Sequence, residues 1–357
     1  LTGSSNLKKT RGSEMKALVL TAYNEFMFSE VPQPELASDE VLVRVKSCGI
    51  CGSDVHGMDG STGRRKPPVI MGHEAAGVIE SVGNAVSEWQ AGDRVTFDST
   101  IYPLADWYTR KGLYNLSENR KVLGVSCDEY RRNGAFAEYV NVPQHILYKI
   151  PEEVSFDHAA MVEPAAVALH AISLSPFACS DTVLVVGAGM IGLFIVQLLR
   201  ATGAGTIIAI DPLDDRLEMA RELGADCVDK PDGSRWRACA KENTAGRGAD
   251  LAFDAVGNSS AIRTAIDQLR NNGCLTLVGN LAKAAEIPLQ YVVTRQIRLQ
   301  GSCAICGEYP AVLDLIKQGR LTMGRLLSAT APLSEGAKWF QRLQAKEPGL
   351  LKVVLNP

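Results

Sequence analysis

The run Thr182-Val183-Leu184-Val185-Val186-Gly187-Ala188-Gly189-Met190-Ile191-Gly192 decides the fold of this chain. Its first five residues, mostly β-branched, read as a buried strand, and the uncharged stretch 193–199 reads as a helix. Gly187 permits the tight turn between them, Gly189 lets a pyrophosphate approach the backbone, and Gly192 lets the helix pack close to the strand. The helix N-terminus then faces the phosphates, so Gly187, Gly189, Met190, Ile191 and Gly192 are the expected cofactor contacts. Asp211 ends the next strand, 206–210, and lies 19 residues beyond Gly192, where an acid accepts hydrogen bonds from an adenosine ribose. A carboxylate there repels a 2′-phosphate. The next basic side chain, Arg216, stands five residues on and is counted with the cofactor contacts, so the expected cofactor is NAD. Gly257 and Gly279 follow two later strands, at the carboxyl ends where an open sheet binds its ligand, and read equally well as turn glycines.

Outward from this run, strand candidates at 182–186, 206–210, 226–229, 251–255, 275–278 and 297–301 alternate with helical segments. That alternation marks an α/β, doubly wound parallel sheet of the Rossmann kind. From Met15 to about Glu163 the pattern differs: short alternating runs such as 40–45, 77–82 and 134–140, punctuated by Gly, Pro and Asp, read as antiparallel strands. After Cys306 come helices near 309–317 and 335–345 and a terminal strand at 351–355, a piece too short for a third domain and expected to fold back onto the first. We therefore expect a tail at 1–14, with Met15 as the native start, a β-rich domain from 15–166 and 306–357, and a nucleotide domain from 167–305.

The 357 residues suffice for two domains without disulfide support. With 46% hydrophobic and 22% charged residues, disordered and fibrous classes are excluded. The 37 basic against 40 acidic residues give a net charge of −3, no footprint for nucleic acid or an anionic membrane. The uncharged run 183–199 is broken by glycines and does not read as a membrane span. Nine cysteines, an odd count, suit reduced thiols in a cytoplasm.

Cys51, His73, Glu74 and Glu163 lie in loops of the β-rich half and could form a zinc site. A catalytic zinc takes three protein ligands and keeps one position for water or substrate. By residue type alone, a glycine-flanked Cys or His serves as well as a buried structural residue. The pairs Cys48/Cys51 and Cys303/Cys306 could pass for a redox or four-cysteine site, but Cys51 has the better assignment.

The loops around Cys51, His73-Glu74 and Glu163-Pro164, the glycine turn and the order of the two halves resemble the zinc-dependent medium-chain alcohol dehydrogenases, sorbitol and polyol branch. The resemblance covers Met15 to Pro357 and implies a GroES-like catalytic domain joined to a Rossmann domain. It makes Cys51 and His73 zinc ligands, with Glu74 and Glu163 sharing the remaining role directly or through the zinc-bound water. It gives Asp54 the task of holding the other nitrogen of His73, and places Ser53 beside the reacting hydroxyl as a proton relay assisted by His56. It implies hydride transfer between a secondary alcohol of a polyol, sugar alcohol or sugar derivative and NAD, with an alcohol or ketone as the small-molecule partner. A homodimer or homotetramer through strand 297–301 is also implied. Threonine-type amino-alcohol oxidation is the runner-up. A zinc-free quinone or enoyl reductase and a noncatalytic nucleotide-binding protein are further alternatives.

The chain departs from that family where a structural zinc would sit: Pro103, Asp106, Thr109 and Ser117 stand at the four cysteine positions. We expect no structural zinc and a lobe packed by Trp107 and Tyr108 instead. The basic run Arg64-Arg65-Lys66 reads as a solvated loop, or as a border of the pocket suited to a phosphate or carboxylate on the substrate.

Overall fold

The computed structural model describes residues 13–127 and 130–357. Most of the expected tail, residues 1–12, lies outside this range, and Glu14 already opens the first strand, Glu14–Ala22. After residue 180 the apolar segments form a six-stranded, wholly parallel sheet. Its order is Cys227–Asp229, Thr206–Ile210, Thr182–Val186, Ala249–Asp254, Leu269–Leu277, Arg298–Gly301. The chain starts at the centre, runs to one edge, then crosses to the other half. A crevice therefore opens at the carboxyl ends of Thr182–Val186 and Ala249–Asp254. Helices Val162–Ser173, Met190–Thr202 and Tyr309–Lys317 cover one face, and Arg235–Glu242 and Ser259–Gln268 the other. Burial on both faces explains why Thr182–Val186 carries no alternation.

The first half builds a seven-stranded sheet in which Glu40–Gly49 pairs with Glu74–Val82, Tyr139–Pro143 and the C-terminal strand Lys352–Asn356. Lys352–Asn356 and its parallel neighbour Leu327–Pro332 thus close the chain back on its beginning. The return is not complete: helix Tyr309–Lys317 packs in the core of the nucleotide-binding half instead. The strand expected at 134–140 is shorter and displaced. Pairing starts at Tyr139, while Gly134 and Phe136 donate to the carbonyls of Ile70 and Met71 and Ala137 makes one bridge to Ala17. This segment runs antiparallel beside Glu14–Ala22, Leu18 N donating to the Phe136 carbonyl and Glu138 N to the Lys16 carbonyl, before the chain passes to Glu40–Gly49 at Tyr139.

The lobe around residues 102–117 is held otherwise than expected. Trp107 is 65% exposed and anchors nothing inside. Tyr102 and Tyr114 stack at 4.2 Å, Tyr114 donates to Asp98 at 2.8 Å, and Asn115 Nδ2 donates to the Cys303 carbonyl at 2.7 Å. Asp106 caps the short helix Trp107–Arg110, accepting from the amides of Tyr108 and Thr109. Among the described residues no helix is long and apolar enough to cross a membrane.

Candidate active site

Three strands converge on one buried point. Glu74 opens its strand opposite Gly49, and Gly49 in turn faces Val354 of the C-terminal strand. A Cβ on Gly49 would sit 2.4 Å from Glu74 Oε2, so only glycine leaves room for that carboxylate. Beyond Gly49 the chain turns at Ile50 into Cys51, which caps the helix Gly52–Gly57. Ligand atoms of Cys51, His73 and Glu74 consequently lie within 4.8 Å of one another.

The two oxygens of Glu74 have different fates. Lys352 Nζ reaches Oε2 at 2.5 Å and also donates to the Ile50 carbonyl at 3.0 Å. Oε1 is buried and has no hydrogen-bond partner. Buried polar atoms are normally satisfied, and an anionic oxygen beside a thiol and an imidazole is a donor set suited to zinc. Burial pulls the Lys352 ammonium down, but Glu74 and Cys51 more than offset this and raise its pKa. Behind His73, Asp54 Oδ1 lies 3.5 Å from Nδ1, leaving Nε2 for a metal. Asp54 is completely buried, and Arg65 Nη2 meets the same oxygen at 2.8 Å. Burial alone would raise the Asp54 carboxyl. His73 and Arg65 reverse the direction and hold it well below the usual range.

Glu163, in the first turn of helix Val162–Ser173, stands outside the tight set and accepts from Ser99 Oγ at 3.2 Å. Burial, opposed by His73 and reinforced by Glu74 and Asp98, pushes its carboxyl up to about 7. Ser53 and His56 lie three residues apart on helix Gly52–Gly57 and are both exposed. Arg65 departs from the reading of its run as a solvated loop, because it is turned inward. Lys352 and Ser99 were not singled out from sequence as site residues, and Arg65 was read only with its basic run, as a solvated loop or a border of the pocket. A lone lysine in the apolar strand around 351–355 was a usable signal for the first, and Ser99 had none.

At the parallel sheet's crevice, Gly187 has φ +93° and donates to the Ile210 carbonyl. A Cβ on Gly192 would meet Gly187 O at 1.8 Å, whereas one on Gly189 meets nothing within 4 Å. Gly192 thus serves helix packing, and Gly189 leaves the open approach that a pyrophosphate needs, beside the amides of Met190 and Ile191 at the helix start. Asp211 accepts from Ala188 N at 2.8 Å and Leu213 N at 3.0 Å, which fixes its carboxylate beside the turn. Arg216 points elsewhere, donating to the Leu350 carbonyl. Gly257 and Gly279 pack backbone to backbone: a Cβ on either would fall 2.3 Å from the other. Their glycine identity is explained by that contact.

The sequence pattern described as zinc-binding dehydrogenase matches residues 191–318, and that of the alcohol dehydrogenase GroES-like domain matches residues 37–152. The chain belongs to the zinc-binding dehydrogenases. It is 32% identical to the (R,R)-butanediol dehydrogenase of Bacillus subtilis (strain 168), over 96% of this chain and 100% of the relative. It is 31% identical to the sorbitol dehydrogenase of the same organism, over 96% and 97%. An alcohol dehydrogenase from E. coli CFT073, solved with NADH, superposes with a TM-score of 0.88 at 30% identity, covering 97% of this chain and 100% of that one. In this family the α/β fold with a GroES-like half and a Rossmann half is the expected architecture, and the chain has it.

Proposed function

We propose that this zinc-binding dehydrogenase oxidises a secondary alcohol carrying a neighbouring hydroxyl, as in a polyol or sugar alcohol, to the ketone, with NAD as acceptor. The observation that carries the reading is the unpartnered, buried Glu74 Oε1 facing Cys51 and His73. Cys51, His73 and Glu74 would hold a zinc ion, which would supply the Lewis acidity that lowers the pKa of a substrate hydroxyl. The nicotinamide supplies the hydride acceptor.

The chain's own residues orient, hold and move protons around that pair. Asp54, whose Oδ1 lies 3.5 Å from His73 Nδ1, favours the tautomer that carries Nδ1–H toward the carboxylate, although no hydrogen bond links the two atoms. Lys352 holds Glu74 so that Oε1 alone points into the site. Ser53 accepts the substrate's proton and His56 passes it to solvent, both being exposed on the same helix. Glu163, buried beside the set and accepting from Ser99 Oγ, is the further carboxylate available to the site. Asp211 receives the ribose hydroxyls and Gly189 admits the pyrophosphate.

Relatives named for butanediol and sorbitol support a substrate with two or more hydroxyls. Exposed Arg64 remains the candidate for a phosphate or carboxylate on the substrate. A second copy would pair along Arg298–Gly301, an edge strand flanked by exposed Leu289, Tyr291 and Val293. The nine cysteines stand as free thiols, which suits a cytoplasm. The test is NADH formation by the zinc-loaded chain across vicinal diols, sugar alcohols, their phosphates and amino alcohols. Turnover confined to amino alcohols, or to alcohols without a second hydroxyl, would overturn the polyol reading. Light scattering that finds only monomer would remove the edge-strand pairing.

A further inference from the structure

We propose that Arg65 is a positioning residue of the metal centre: it fixes the Asp54 carboxylate that orients His73. This inference rests on the zinc reading given above. The basic run Arg64-Arg65-Lys66 divides in the fold, for Arg64 and Lys66 are exposed while Arg65 is only 3% exposed. Its guanidinium meets Asp54 Oδ1 through Nη2 at 2.8 Å and through Nε at 3.3 Å. The same carboxylate accepts from the Cys51 amide at 3.4 Å through Oδ2 and lies 3.5 Å from the His73 ring through Oδ1. One carboxylate therefore accepts from the backbone of one ligand and lies beside the ring of another, 3.5 Å from a His73 Nδ1 that has no hydrogen bond, and the buried Arg65 holds it.

The grip is built in the sequence. A Cβ on Gly57 would lie 2.8 Å from Arg65 Cγ, so the glycine that ends helix Gly52–Gly57 makes the channel for the arginine stem. Two guanidinium donors converge on Oδ1 while the Cys51 amide reaches Oδ2, so the two oxygens of the carboxylate are held from different partners. A carboxylate free to rotate would let the imidazole tilt away from Cys51 and Glu74, the residues with which it would hold the metal. Groups that orient metal-bound histidines are worth about 10–100-fold in metal affinity.

The test is zinc affinity, by competition with a chromophoric chelator, for the parent and for Arg65→Met, Arg65→Lys, Asp54→Asn and Asp54→Asn/Arg65→Met. The unfolding midpoint of each zinc-free chain and the visible spectrum of each cobalt-loaded chain are measured in parallel. Arg65→Met is expected to weaken zinc by about 10–100-fold and to shift the cobalt bands. Arg65→Lys should recover part of the affinity. In the Asp54→Asn background Arg65→Met should add no further loss, because it acts through that carboxylate. Affinity for Arg65→Met within about twofold of the parent, or a full additional loss in the Asp54→Asn background, would overturn the inference. If Arg65→Met does not fold, Arg65→Lys decides: weakened zinc binding at an unchanged midpoint supports positioning, and unchanged binding refutes it. A parent chain that binds no zinc overturns the metal reading and this inference together. A parent that binds zinc beside an unaffected Arg65→Met chain overturns this inference alone.

Discussion

Replacing Lys352 by Met strips the cation from the buried Glu74 carboxylate while keeping most of the side-chain volume. In the zinc-free chain Lys352 is 2% exposed, Glu74 is fully buried, and Nζ lies 2.5 Å from Oε2 and 3.0 Å from the Ile50 carbonyl. Removing one member of such a pair leaves an uncompensated charge and costs about 3–5 kcal/mol. The Ile50 carbonyl also loses its donor. Across 357 residues, an unfolding entropy of about 2.1 cal/mol/K per residue converts that loss into a fall in Tm of about 4–7 °C. Scanning calorimetry on zinc-free protein reads the shift directly. The double variant Glu74→Gln/Lys352→Met, with no charge left to strand, should regain about 2 kcal/mol or more over Lys352→Met alone. A loss below about 1 kcal/mol in the single variant, or a double variant no more stable than the single, would refute this view of the buried pair.

Other consequences can be measured separately. Gly189→Ala should leave stability within about 0.5 kcal/mol of the parent, because its Cβ meets open space, yet weaken NADH binding by about tenfold; unaltered NADH affinity would count against the phosphate approach. Gly192→Ala, whose Cβ would press on Gly187 O, should destabilise at the upper end of about 1–3 kcal/mol, and a chain as stable as the parent would contradict that packing. Glu163 has a pKa raised from 4.5 to about 7, so the folded zinc-free chain holds a proton that the unfolded chain has released across that window. Its contribution is thus fully present below pH 4.5 and is lost as pH rises to about 7, and Glu163→Gln should be more stable than the parent above that pH with no advantage below 4.5. An advantage independent of pH, in urea unfolding at several pH values, would disprove the assignment. Asp211→Ala should narrow the preference for NADH over NADPH and weaken both the turn and the ribose contact, whereas an unchanged ratio of their dissociation constants would remove Asp211 from cofactor selection.

Those features set by local chain chemistry were legible in the sequence. The glycine turn, the strands Thr182–Val186 and Thr206–Ile210 and the helix Tyr309–Lys317 depend on periodicity and turn residues within a short window, and they stand where periodicity put them. Cys51, His73 and Glu74 were found through loops that resemble a known family, and the structure brings their ligand atoms together. Features that depend on distant contacts were not legible. Lys352 is 278 residues from Glu74, and Arg65 sits in a charge run whose burial only the fold reveals. Gly257 and Gly279 read equally well as ligand-side or turn glycines, because the reason for both, their backbone contact with each other, spans the fold. Trp107 looked like a lobe anchor by size, but the Tyr102–Tyr114 stack and the buried Asp98 do that work.

The most direct measurement is zinc per chain by elemental mass spectrometry on protein purified without chelator, paired with NAD-dependent oxidation of a vicinal diol. About one zinc per chain is predicted, with Cys51→Ser and His73→Ala losing both metal and turnover while still binding NADH. A parent chain without zinc even after incubation with the metal, or Cys51→Ser and His73→Ala chains that keep their activity, would contradict the assignment of these residues to a catalytic zinc centre.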